Sequence, residues 1–203
     1  MNNKQEFDLR NILLLSALII FIMFVVSSYV WTQIPDDQQV CIHWNTAGEC
    51  DNYEGKFIGL YMMPFIVLGL TGLFPLLIRV EPRSGNIVQS RKAYKAIWAA
   101  TLILLLAVHL ILMSDLLGDG TNIVTYIPFL IGSLFMVIGN YMGKTRSNFF
   151  LGIRTPWTLS SDLSWDKTHR LGGKLFVLLG ILLLVGAILF SSEIWVYALL
   201  GSV

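Results

Sequence analysis

Five long apolar runs leave this chain few ways to fold. They cover residues 12–30, 57–78, 96–117, 123–142 and 175–190. The first reads ILLLSALIIFIMFVVSSYV, and the last extends back to residue 171. Each is close to the roughly 20 residues a helix needs to cross the hydrocarbon of a bilayer. No water is available there, so backbone polar groups must bond within their own segment, as they do in a helix. The fold class is therefore all-α, a polytopic bundle with five clear transmembrane helices. After Glu193 only IWVYALLGSV remains, which leaves room for a short, tilted sixth. Lys4, Arg10 and Ser27-Ser28 give the first run some features of a secretory leader. Its apolar stretch exceeds the usual 7–15 residues of a leader's core, which predicts a retained span.

Charge position fixes the orientation better than charge sum. Only 13% of residues are charged and the net charge is +1, which argues against direct nucleic-acid binding. The basic residues alternate sharply from loop to loop. Two precede the first span, one lies in 31–56, five in 79–95, none in 118–122 and six in 143–174. By the positive-inside bias, the N-terminus and the 79–95 and 143–174 loops face the cytoplasm. Thirteen of fourteen basic residues then lie inside, and eight of thirteen acids lie outside.

The outer loop reads TQIPDDQQVCIHWNTAGECDNYEGK and holds both cysteines, Cys41 and Cys50. On the oxidising side a disulfide is expected, closing a ring around His43, Trp44, Asn45 and Gly48. The alternatives are two free thiols, or a metal site on Cys41, His43 and Cys50, with Glu49 or Asp51, although Cys-x-His is not a standard zinc spacing. Trp44 and Tyr53 suit the interface as anchors.

The inner loops share a plan. Ser90 is placed to cap a helix that begins Arg91, Lys92, Tyr94 and Lys95. Ser161 is placed to cap one that begins at Asp162 and carries Trp165, Lys167, His169 and Arg170. A shift of 71 residues lays Arg83 over Arg154, Ser84 over Thr155, Val88 over Leu159, Ser90 over Ser161 and Tyr94 over Trp165, which raises an internal repeat. On the last helix Lys167, Arg170 and Lys174 share one face, suited to anionic headgroups. Trp165, His169, Gly172 and Phe176 share another. That face fits either an aromatic anchor with a small-residue packing site at Gly172-Gly173, or a groove for a cytoplasmic partner.

His109 lies within the third span, where an ionisable side chain is a functional candidate. It is expected to bond Ser114, Asp115 or a polar group on another helix, with ion or proton handling as the alternative. Asn140, at the inner end of the fourth span, is placed to hold the backbone of the following loop. The chain has no G-x-S-x-G, H-E-x-x-H, Walker or dinucleotide-binding motif. No enzymatic activity and no cofactor are expected.

The segment GNYMGKTRSNFFLGIRTPWTLSSDLSWDKTHRLGGK, residues 139–174, resembles the signature of the SdpI-type immunity proteins. The resemblance rests on Gly139, Asn140, Lys144, Asn148, then Gly152, Ile153, Arg154, Thr155, Pro156, Trp157 and Thr158. It continues through Trp165, Thr168, His169, Arg170, Gly172 and Gly173. The front half is similar to the small domain of unknown function that precedes the signature in that family. Pro35, His43, Asn45, Gly48, Asp51 and Lys56 carry that pattern. The cysteine pair and the long interval from Pro35 to His43 depart from it. The chain then divides into an N-terminal membrane domain, 1–95, and an SdpI-like domain, 96–203. The first holds the outer loop 31–56 and the inner loop 79–95, and the second holds the signature loop 143–174.

The resemblance implies a multi-pass protein of the bacterial inner membrane that protects against a secreted, membrane-active antimicrobial peptide. It also implies signalling to a cytoplasmic transcriptional repressor, with Asn140, Asn148, Gly152, Arg154, Thr155, Pro156, Trp157, Trp165, His169 and Arg170 as partner-binding candidates. The competing expectation is a small-molecule or metal-dependent transporter or enzyme built on His43 or His109.

Overall fold

The computed structural model describes residues 7–45 and 49–189. Among the described residues, five helices are long and apolar enough to cross a membrane: α1 (Arg10–Gln33), α2 (Lys56–Val80), α4 (Arg91–Leu116), α5 (Ile123–Met142) and α7 (Asp162–Leu189). Two short helices, α3 (Ser84–Gln89) and α6 (Pro156–Ser160), precede α4 and α7. Only 17–28% of each apolar window is buried inside the protein. The rest is apolar surface that water would not tolerate and lipid does. The short sixth span falls outside the described residues.

The outer loop is more ordered than the all-α expectation. Two strands, β1 (Gln39–Trp44) and β2 (Cys50–Gly55), pair antiparallel with irregular register around His43. Cys41 and Cys50 are joined as a disulfide. Asn45 closes the turn: its backbone N–H donates to Glu49 O at 2.9 Å, and its Oδ1 accepts the Glu49 N–H at 3.0 Å. Val40 anchors the hairpin on α2, where a Cβ at Gly59 would lie 2.3 Å from Val40 Cβ. Lys56 is buried, donates to Ile34 O at 2.8 Å and Asp36 Oδ1 at 2.9 Å, and stands 4.6 Å above the Trp31 ring. It ties the end of α1 to the start of α2.

A core of Ile12, Ile19, Met23, Val67, Tyr94, Trp98 and Leu102 joins α1, α2 and α4. Helix α7 rests mainly on α5, and the reason is glycine. A Cβ at Gly139 would lie 2.6 Å from Gly173 O, and one at Gly180 would lie 2.6 Å from Gly132 O. The two glycine pairs repeat at a spacing of seven on antiparallel helices, so the backbones touch at two successive points. Lipid supplies no hydrophobic drive for helix pairing, and close small-residue contact replaces it. The sequence points to Gly172-Gly173 as a packing site, and Gly173 serves that purpose.

The 71-residue shift has structural content. Helix α3, a break at Ser90 and helix α4 match helix α6, a break at Ser161 and helix α7. Tyr94 Oη donates to Phe74 O, and Trp165 Nε1 donates to Thr145 O, two bonds whose donors and acceptors are both 71 residues apart. One turn later Trp98 and His169 are both buried and both in ring contact with that aromatic. The two serines differ. Ser161 caps α7 as expected, its Oγ accepting the Ser164 N–H at 3.3 Å. Ser90 sits at the cap position of α4 but makes no cap bond. Its hydroxyl donates to Asn86 O and accepts the Arg146 N–H, both at 2.8 Å.

The glycine contact predicts a graded effect on stability. Gly139→Ala and Gly180→Ala should each cost about 1–3 kcal/mol, the usual range for overpacking. Gly69→Ala, where a Cβ meets nothing within 4 Å, should leave the thermal midpoint in detergent unchanged. Equal loss from all three would rule out backbone contact as the cause.

Candidate functional site

The signature residues come together at the basic end of the bundle, where segment 143–161 is folded against α3, α7 and the end of α2. Asn148, fully buried, organises the turn from 146 to 151. Its Oδ1 accepts the N–H groups of Phe150 at 2.9 Å and Leu151 at 2.6 Å. Its Nδ2 donates to Arg146 O at 2.8 Å and Leu151 O at 3.1 Å. All four of its hydrogen-bonding positions are filled, which is what a buried amide requires. Asn140, expected to hold this backbone, is exposed and instead accepts from Lys144 Nζ at 3.3 Å. It lies in the last turn of α5, on the side that lines the cleft toward α7.

His169 forms the second anchor. Its Nδ1 donates to Trp165 O, and its Nε2 accepts the Ile153 N–H, both at 2.9 Å. The backbone donor at Nε2 places the imidazole proton on Nδ1. The Trp165 ring stacks on it with centroids 3.9 Å apart. Gly152 makes this approach feasible: its φ is +110°, and a Cβ would lie 2.3 Å from His169 Nε2. Thr155 and Thr158 form a capping box that starts α6, with Pro156 in its first turn. Thr158 Oγ1 also donates to Ile153 O at 2.9 Å.

The face carrying Trp165 and His169 is therefore not an open groove. The chain's own loop fills it, and Trp165 is buried rather than placed at the interface as an anchor. What remains outside is a smaller set. Trp157 is 63% exposed, Arg154 and Arg170 are exposed, and Arg154 Nη1 donates to Phe149 O at 2.6 Å.

Residues outside the signature hold it in place. Glu81, buried, accepts the Arg83 N–H with one oxygen and the Phe149 N–H with the other, both at 2.9 Å. Arg83 donates to the Ser147 hydroxyl and to Leu159 O, and lies over the Phe149 ring. Asn86 Nδ2 donates to Ser147 O at 2.7 Å. Sequence reasoning missed Glu81, Asn86 and Ser147. The only available signal was a lone acid, Glu81, in a strongly basic loop.

The competing sites do not assemble. Cys41 and Cys50 are bonded to each other, so they offer no thiolates to a metal. No group of three or more metal-ligating side chains is present among the described residues. His43 Nδ1 pairs with Asp51 Oδ1 at 2.6 Å within the hairpin. Pro35 accepts the Gln38 N–H in the turn before β1. Gly48 lies outside the described residues. His109 is buried on α4 and bonds α1, with Nε2 3.2 Å from both Ser27 Oγ and Met23 O. Ser27 donates to Leu60 O, so three helices meet at this contact. The ring's Nδ1 has no hydrogen-bond partner among the described residues. Ser114, offered as a partner for His109, donates to Asp119 instead.

Loss of the His169 anchor predicts a local failure. His169→Ala leaves the Ile153 N–H without its partner, at about 1–3 kcal/mol for an unpaired buried donor, while Trp165 O lies inside α7 and keeps its helical bond. In inside-out vesicles trypsin should then cut at Arg146 or Arg154 well before it cuts the wild type. Unchanged cleavage would show that the loop is held by other contacts.

Residues 144–203 match the SdpI/YfhL protein family, and residues 18–68 match a domain of unknown function (DUF1648). The Immunity protein SdpI of Bacillus subtilis (strain 168) is 23% identical over 175 residues, covering 85% of this chain and 79% of that protein. No solved structure matches significantly. With five helices long and apolar enough to cross a membrane among the described residues, the chain is a multi-pass membrane protein whose C-terminal segment is similar to the SdpI/YfhL protein family and whose front half is similar to the DUF1648 domain.

Proposed function

We propose that this protein is a membrane immunity receptor. It protects its cell from a secreted, membrane-active peptide and relays the peptide's presence to a cytoplasmic partner. The observation that carries the reading is the likeness to the immunity protein over most of both chains. The protein acts by binding, without turnover. His169, the most placed histidine of the signature, has both ring nitrogens committed to the backbone.

The hairpin supports the outer half of the proposal. Residues 31–56 hold five acids and one lysine. That lysine, Lys56, is buried, whereas Asp36, Asp37, Glu49 and Asp51 are exposed. The hairpin therefore presents an acidic surface that attracts cationic peptides. With the basic end in the cytoplasm of a bacterial inner membrane, the signature loop is the inner half. Most of its side chains are spent on internal bonds. Arg154 and Trp157 protrude from that fixed frame, and a cytoplasmic repressor is the partner class the family likeness brings with it. Tryptophan and arginine are the residue types that most often dominate such contacts.

Two outcomes follow. Expression in a sensitive host should raise survival against a membrane-active peptide encoded beside this gene, and survival no better than an empty vector sinks the immunity reading. Arg154→Ala and Trp157→Ala should leave membrane insertion and thermal midpoint within about 0.5 kcal/mol of wild type. They should also abolish peptide-dependent activation of a reporter for the repressor. If instead they lower the amount of inserted protein, the pair is structural.

A further inference from the structure

A groove of about 670 Å³ opens between α5 and α7 at the basic end. Lys144, Arg170 and Lys174 surround its mouth, and Val177, Leu178 and Ile181 line its inner reach. No carboxylate lines it. Asp166, one turn before Arg170, lines a different cavity beside Asn86 and Arg146. Arg170 and Lys174 make no ion pair among the described residues. Lys144 is steered to the mouth by its bond to Asn140 Oδ1 and its position 5.0 Å from the Tyr141 ring. The same glycines that let the helices touch leave the space between them without side chains.

We propose that this groove binds one anionic glycerophospholipid of the inner leaflet. The three cations hold its phosphate, and one acyl chain lies along Val177, Leu178 and Ile181. The chemistry changes from cationic to apolar over two turns of α7, in the same direction as a phospholipid changes from headgroup to tail. A basic pocket between helices at the cytoplasmic boundary is a recurrent form of lipid headgroup site. Lys167 shares the helix face predicted from sequence, but it does not line the groove. The site takes its third cation from α5 instead. A lipid there would bridge α5 and α7 just below the signature loop.

The test uses the purified full-length protein in neutral detergent, with thermal midpoint and native mass spectrometry as readouts. Phosphatidylglycerol should raise the midpoint saturably and appear as one retained lipid. Phosphatidylethanolamine and glycerol 3-phosphate should do neither. Lys174→Gln should weaken half-saturation about fivefold, from about 1 kcal/mol per cation near the surface. The triple change K144Q/R170Q/K174Q should remove the effect. K92Q/K167Q, which removes two exposed cations outside the groove, should preserve it. An equal shift with phosphatidylethanolamine overturns the proposal, as does a half-saturation left unchanged by Lys174→Gln. Equal loss in K92Q/K167Q shows surface charge rather than a site, and a full shift with glycerol 3-phosphate shows an anion site rather than a lipid site.

Discussion

The contact between the backbones of α5 and α7 sets the position of everything at the basic end. Where Gly139 meets Gly173 and Gly132 meets Gly180, no side chain separates the helices. This fixes the distance that segment 143–161 must span. It also turns the first three turns of α7 toward that segment, so Trp165 and His169 meet it. The loop's internal bonds follow from this placement. Asn148 gathers the turn, His169 receives Ile153, and Gly152 allows the approach.

A second constraint joins the two halves of the chain. Helices α4 and α7, which leave the basic end, are each preceded by a short helix and a serine break, and each is pinned by an aromatic donor to an earlier carbonyl. These two elbows are also bonded to each other. Glu81, Arg83, Asn86 and Ser90 reach Phe149, Ser147, Leu159 and Arg146 across sequence separations of 56 to 76 residues. The loop that carries the family signature is thus half of a collar, and the N-terminal half of the protein supplies the other part.

The spans and the segregation of charge were legible in the sequence because each depends on a local run of residues. The Ser161 cap and the pairing of Cys41 with Cys50 were legible for the same reason. The alternating pattern of β1 and β2 was obscured by the irregular register around His43 and by the absence of a buried face beyond Val40. Ser90 looked like a cap, but its hydroxyl is claimed by a backbone donor 56 residues away. Asn140 and Asn148 could not be told apart, because only the path of the loop shows which amide it encloses. Trp165 looked like an anchor because helical spacing gives its face but not what packs on that face.

The bond between Cys41 and Cys50 has a consequence for how the molecule is made. It forms only after residues 34–55 have crossed to an oxidising compartment. A chain threaded the opposite way would keep both cysteines in the reducing cytoplasm, where they remain thiols. The hairpin is therefore sealed only once the loop between α1 and α2 has crossed, which commits that pair of helices to one direction. Its oxidation is a chemical stamp of correct threading, written on each molecule and lost from any that went in upside down.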